Sequence, residues 1–147
     1  MAAPRIVVEP HAPDSIREYV REQLDLFNVA VTGRSDWAPL TVLLRGEHDE
    51  IGGGLLGACW GGWLHVEILW VAEPLRRRGH GRALLEAAER WAIAHGCEHA
   101  RLASFSFQAP GFYERHGWRE FGRLDGFPPD HALHFFRKRL IRQEGEP

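Results

Sequence analysis

The residues best equipped for chemistry lie in one run, LWVAEPLRRRGHGRALLEAAERWA, residues 69–92. Apolar, strand-like residues pass through Arg76, Arg77 and Arg78 and the glycines Gly79 and Gly81 straight into a helical pattern. Such a turn can bind an anion, because the first N–H groups of a helix lack internal partners and the helix dipole favours negative charge there. Glycines let a phosphate approach the backbone, and arginines add attraction and bidentate contacts. A pyrophosphate is the natural occupant. The dinucleotide fingerprint G-x-G-x-x-G fails because its third glycine position is Leu84, and the G-K-[ST] of a P-loop is absent. Upstream, Glu67 interrupts the apolar run LHVEILWV. A carboxylate is costly to bury unless paired or wet, so Glu67 is expected to face a cleft. Strand alternation puts His65, Glu67, Leu69 and Val71 on one face. The competing readings are an ion pair from Glu67 to an arginine and a partly buried structural role for His65.

Periodicity supplies the elements that must hold these residues. RIVVEP (5–10) is β-rich and bounded by proline, which predicts a first strand. DSIREYVREQLDLF follows, with Ser15 and Glu18 at capping-box spacing. Ile16, Tyr19, Val20, Leu24 and Phe27 recur at helical intervals, which predicts a helix with one buried face. Strands at 40–46, 51–60 and 63–71, joined by short turns, describe an antiparallel meander, and the glycines at 52–54 hint at a bulge. Leu84, Ala88, Trp91 and Ala92 mark the core face of the next helix, which Gly96 is placed to stop. HARLASFSF (99–107) alternates as a strand with Ala103, Phe105 and Phe107 on one face, and APGFYERHG (109–117) reads as a short helix. WREFGRL and HALHFFRKRL close the chain as strands. The expected fold is α/β (α+β), a mixed six- to seven-stranded sheet flanked by helices, in a single domain spanning 1–147.

Composition sets bounds on function. A hydrophobic content of 44% and a charged content of 26% are ordinary for a soluble globular protein. The net charge of −2 gives no overall bias toward nucleic acid or membrane, so any basic function must be local. No stretch reaches the roughly 20 apolar residues of a membrane span, and the N-terminal run is broken by Pro10 and Pro13. Cys59 and Cys97 make neither a disulfide framework nor a metal motif. A cytoplasmic, reduced protein is expected. No spacing among the nine histidines matches a zinc site.

The segment from Val71 through Arg76-Arg77-Arg78-Gly79-His80-Gly81 into RALLEAAERWA resembles the acyl-CoA-binding motif of the Gcn5-related N-acetyltransferases (GNAT family). That motif is a strand, then (Q/R)-x-x-G-x-(G/A), then a helix. A second resemblance lies downstream, where LASFSF followed by QAPGFYERHGW is similar to the family's N-x-x-A-x-x-F-Y-x-x-x-G-F segment, with Gln108 in the asparagine place. The closing PPDH and FFRKRL further resemble a subgroup of small bacterial acetyltransferases. The resemblance implies the GNAT acyl-CoA N-acyltransferase fold and transfer from acetyl-CoA, without a metal, to a primary amine of a small molecule or peptide. Direct attack in a ternary complex is the implied route.

The same resemblance implies residue roles. Backbone N–H groups from Arg77, Arg78, Gly79, His80, Gly81 and Arg82 would hold the pyrophosphate, with Arg76 matching the motif. Leu69, Trp70 and Val71 would splay from the neighbouring strand and pair with the pantetheine arm, and an N–H near Leu69 or Trp70 would stabilise the acetyl oxygen. Gln108 keeps the amide that bonds the cofactor arm, and Phe112 joins the cofactor site. Tyr113 is the implied general acid, since a phenol with a pKa near 10 can protonate a thiolate. Glu67 is the candidate base and His65 the second candidate. Asn28, Asp36, Trp37 and the loop 127–131 are candidate walls of the acceptor site. Two other classes stay open: a non-catalytic acyl-CoA-binding regulatory module, and an interaction domain forming a homodimer through HALHFFRKRL as an edge strand. Nucleic acid and membrane are not expected partners.

Overall fold

The computed structural model describes residues 2–141. The chain divides into two compact units, residues 1–35 and 36–147.

The first unit is built on one helix, α1 (Asp14–Thr32), which ends at Gly33 in the left-handed conformation with its N–H on the Val29 carbonyl. Three expectations fail here. Residues 5–10 form no strand, since a strand takes its backbone partners from a neighbouring strand and this unit has none. The anticipated buried face of α1 is also not found: none of its residues is buried, and Ile16, Tyr19, Val20, Leu24 and Phe27 are 47–63% exposed. The apolar stripe is present in sequence, yet the unit offers no second layer to cover it. Nor is the Ser15–Glu18 capping box used, because the helix starts at Asp14 after Pro13, with no side-chain cap.

The second unit holds a six-stranded sheet in the order β1-β2-β3-β4-β6-β5. β1 (Ala38–Arg45), β2 (Ile51–Trp60) and β3 (Trp63–Val71) form the expected antiparallel meander, turning at Gly61 and Gly62, both at positive φ. A single 3-10 turn (Glu73–Leu75) leads into α2 (His80–Ala94), which returns the chain to β4 (His99–Phe105), parallel to β3. The short α3 (Pro110–Arg115) precedes β5 (Arg119–Asp125) and β6 (Ala132–Arg139), and β6 lies between β4 and β5. HALHFFRKRL is therefore an interior strand, bonded along both edges, and cannot serve as the edge of a homodimer.

One face of the sheet carries the core. α2 buries Leu84, and its Leu85, Ala88 and Ala92 join a cluster with Leu55, Leu64, Val66, Ala100, Leu102 and Phe136. Truncating a large member such as Leu85 or Phe136, at 1% and 0% exposure, should cost about 2–5 kcal/mol. On β4 the core face is Ala100, Leu102 and Ser104; Ala103 faces away, and Phe107 lies past the strand end. Lys138 of β6 ties the layers together: its Nζ meets Glu89 Oε1 of α2 at 2.6 Å and donates to the His116 carbonyl after α3 at 2.9 Å.

Two bulges interrupt the meander. The β1–β2 register skips Gly52, as the glycine run suggested, and the β2–β3 register skips Glu67, with Gly57 opposite Val66 and Leu56 opposite Ile68. The second bulge needs Gly57, because a Cβ there would land on the His65 carbonyl oxygen.

Candidate active site

The bulge at Glu67 organises the site. Before it, Leu64 and Val66 point into the core; after it, the core-facing residues are Leu69 and Val71, with Ile68 and Trp70 on the open face. The expectation that His65, Glu67, Leu69 and Val71 share one face is thus overturned: one extra residue flips the alternation. Glu67 is exposed, and no ion pair or hydrogen bond to its side chain is found among the described residues.

Pairing between β3 and β4 runs from Trp63–His99 to Val66–Leu102 and stops there. The strands part at the bulge. Ala72 N–H bonds the Gly52 carbonyl on the β2 side, so period-two alternation turns the Leu69 and Val71 backbone groups toward the opening. Consistent with that, the Val71 carbonyl receives Arg76 Nε at 2.9 Å. The Trp70 backbone groups face β2 by the same alternation, which makes Leu69 the N–H aimed into the split.

At its upper end lies the turn before α2. Arg77 has φ +63° and Gly79 φ +82°, left-handed positions that curve successive N–H groups into a concavity suited to an anion. Gly79 precedes the first helical residue, His80, with no side-chain cap. The concavity has the form of an anion nest, and its shape suits a pyrophosphate. Arg78 is exposed beside it. Arg82 is committed elsewhere, its Nε bonding Glu86 Oε1 at 2.8 Å. That bond holds the Glu86 carboxyl below its ordinary range. Gly81 packs beneath Phe112, whose ring would sit 3.5 Å from a Cβ at that position, so α3 braces the start of α2.

Tyr113 is buried, 9% exposed, among Phe112, Trp118 and Phe136 with ring centroids 5.2, 6.1 and 5.7 Å away. Its hydroxyl has no hydrogen-bond partner among the described residues, and burial pushes the phenol up to about 12. His65 has its pKa lowered, first by burial and then by Arg101, with Glu67 pulling the other way. Its imidazole is therefore neutral near pH 7. Gln108 turns inward: its Oε1 accepts from the Phe105 N–H at 2.8 Å and lies 3.4 Å from Ser104 Oγ. The amide oxygen closes the end of β4, which leaves its NH₂ group for a ligand.

Sequence patterns alone did not reveal several groups. A cavity of about 400 Å³ opens between Ser106 and the β5–β6 connection, lined by Arg123, Asp125, Asp130, His131 and His134. It takes in part of the loop expected as an acceptor wall. His131 lies 3.3 Å from Ser106 Oγ, and His134 Nδ1 lies 2.5 Å from Glu120 Oε1. Only the strand register brings these residues together. Cys59 and Cys97 are free and buried, and burial with the neighbouring Cys97 thiol pushes Cys59 up to about 12. No cluster of His, Cys, Asp or Glu that could hold a metal, and no helix long and apolar enough to cross a membrane, occurs among the described residues.

Comparison with known proteins identifies the family. The model of the Acetyltransferase (GNAT) family matches residues 7–118. The blasticidin-S acetyltransferase of Streptomyces morookaense is 40% identical over 65% of this chain and 71% of its own. Acetyltransferase Atu2258 of Agrobacterium fabrum is 32% identical over 82% of this chain and 88% of its own. A crystal structure of an acetyltransferase from Bacillus cereus superposes with a TM-score of 0.79 at 33% identity, over 90% of this chain and 97% of that one.

Proposed function

The chain belongs to the GNAT family of acetyltransferases, and from that premise we propose that it moves the acetyl group of acetyl-CoA to a primary amine by direct attack. The observation that carries this reading is the parting of β3 from β4 after Val66, with the Arg77–Gly79 nest at its mouth. Acetyl-CoA supplies the activated thioester; the chain's own groups bind and polarise it. N–H groups at the start of α2 hold the pyrophosphate. The free backbone edge of Leu69 and Val71 pairs with the pantetheine arm as an added strand. The Leu69 N–H donates to the thioester oxygen, whose charge grows as the amine attacks.

Direct attack suits the side chains present. The two cysteines are buried and Cys59 holds its proton to about pH 12, so neither serves as a thiolate relay. Neutral His65 and the exposed carboxylate Glu67 can take the ammonium proton, directly or through water, leaving a lone pair for the carbonyl carbon. As the C–N bond forms and the C–S bond breaks, the Tyr113 hydroxyl donates to the departing sulfur. The deeply protonated phenol is available at any working pH.

Calorimetric titration with acetyl-CoA, followed by thiol release across an amine panel, tests the reading. Micromolar binding and amine-dependent thiol release are expected. Absence of binding at high micromolar concentration would remove the cofactor site, and binding without release to any amine would leave a CoA-binding module in its place.

A further inference from the structure

The sheet face opposite α2 carries three arginines that the mechanism above leaves unused, in line with His65. His65 is paired with Arg101 across β3–β4, Arg101 with Arg137 across β4–β6, and Arg137 with Arg119 across β6–β5. Directly paired residues project from the same face, about 5 Å apart from strand to strand, so the four side chains form one line roughly 15 Å long. Arg101, Arg119 and Arg137 are exposed, and none makes an ion pair with a carboxylate among the described residues. Glu120, next to Arg119, points the other way to His134. Like charges set directly opposite one another destabilise a sheet. An arrangement that opposes three in series, with no described carboxylate of the second unit paired to any of them, is suited to hold an anion.

The row is also anchored and aimed. Trp63 stacks on His99 with ring centroids 4.7 Å apart, and the Arg137 guanidinium lies 5.7 Å from the Trp63 ring centroid. This gives the row a flat aromatic floor. Its inner end is His65, two residues before the bulge where the strands part.

We propose that the Arg101–Arg137–Arg119 row binds the anionic part of the acceptor, so that the substrate is an amine that also carries phosphate or carboxylate groups. The inference rests on the reading of the split as the acetyl-transfer site. An amine held beside His65 would place an anion about 5–15 Å away along the row, the span of a phosphorylated amino sugar or of an acidic peptide near its N-terminus. Guanidinium forks recognise both anions by the same bidentate bonds.

Matched acceptors test this: glucosamine 6-phosphate against glucosamine, phosphoserine against serine, and a peptide with acidic residues after its N-terminus against its alanine counterpart. The phosphorylated pairs and the peptide pair separate the two sources of the anion. At least one anionic member should have a kcat/KM about tenfold or more above its neutral partner, the effect of one charge-assisted hydrogen bond. Raising the salt concentration should narrow that ratio. Arg101→Gln and Arg137→Gln should bring the ratio toward one, and Arg137→Lys should keep part of it. A ratio of one or below for every pair in the wild-type protein, or a ratio untouched by both glutamine variants, overturns the proposal.

A second measurement separates this from failure of the catalytic reading. With the CoA site saturated by CoA, inorganic pyrophosphate should raise the melting temperature of the wild-type protein and not that of the Arg101→Gln/Arg137→Gln double variant. If no amine is acetylated yet this difference is seen, the anion site stands and the transfer reading falls. If pyrophosphate stabilises both proteins equally or neither, the row is no anion site.

Discussion

Tyr113→Phe separates chemistry from packing more cleanly than any other single change. The hydroxyl has no hydrogen-bond partner among the described residues and is not one of their fully buried, unpartnered polar atoms, so its removal breaks no bond within the protein. The variant should therefore melt close to the parent, within about 0.5 kcal/mol of its stability. Activity should fall. Loss of a general acid removes roughly 10²-fold in turnover, or about 2.7 kcal/mol of transition-state stabilisation. With the phenol pushed up to about 12 and a free thiol near 8.5, complete proton transfer to sulfur is uphill by about 3.5 units, or about 5 kcal/mol. The useful interaction is therefore a hydrogen bond tightening on the nascent thiolate, with the proton passing only as the thiolate leaves. Two consequences can be measured by thiol release at saturating acetyl-CoA. kcat should fall about 10²-fold while the acetyl-CoA dissociation constant changes little, and wild-type turnover should show no alkaline limb from this group up to about pH 10. A turnover within twofold of wild type refutes the assignment, as does a loss accounted for wholly by weaker acetyl-CoA binding.

Three further changes bear on the same site. His65→Gln should abolish the acid limb of kcat/KM, which in the wild-type protein lies below the ordinary histidine value of 6.5 because burial and Arg101 hold the ring neutral; an unchanged limb assigns the base elsewhere. The sign for stability follows. A folded-state pKa below the unfolded one gives stabilisation that is present above about pH 6.5 and lost as pH falls through the folded value, so His65→Gln should lose less melting temperature than wild type on acidification from neutral pH. Gly79→Ala meets no atom within 4 Å, yet φ +82° should cost about 1–2 kcal/mol and raise the acetyl-CoA dissociation constant about tenfold as the nest distorts; calorimetric binding unchanged from wild type would discard the nest. Gly57→Ala places a Cβ on the His65 carbonyl and should cost about 2–3 kcal/mol, or roughly 4–10 °C for a chain of this size. Normal melting and normal kcat in that variant would show that the bulge can be lost freely.

Much of the second unit was legible in sequence because its signals are local. β2 and β3 begin and end where their turns and glycines predict, and Gly96 and Gly117 leave their helices at positive φ. The glycines at 52–54 announced one bulge correctly. The other, at Glu67, was hidden because period-two alternation carries no mark of an inserted residue; Gly57, on the neighbouring strand, was the only trace. The first unit failed for the opposite reason. RIVVEP and the stripe of α1 have correct local patterns, but strand pairing and burial are supplied by neighbours that a pattern does not contain. The arginine row is of the same kind: Arg101, Arg119 and Arg137 are scattered in sequence and meet only through the β4-β6-β5 order.

On the proposed reading, the bulge is what joins the anion nest and the reactive groups into one site. Had β3 continued in register with β4, Ala103, Ser104 and Phe105 could have taken the backbone groups of residues 67–69, and no edge would remain for a ligand. One extra residue at Glu67 ends that pairing, returns Leu69 and Val71 to the core phase and leaves a carboxylate exposed at the parting. With the same phase, the Val71 carbonyl faces Arg76, which ties the strand end to the turn that curves into α2. Arg76 thus serves the site by holding its geometry, which a charge-only account of the three arginines does not capture. Arg76→Lys keeps the charge and loses the planar Nε donor, so it should weaken acetyl-CoA binding, whereas Arg78→Lys, whose side chain has no such fixed partner among the described residues, should not.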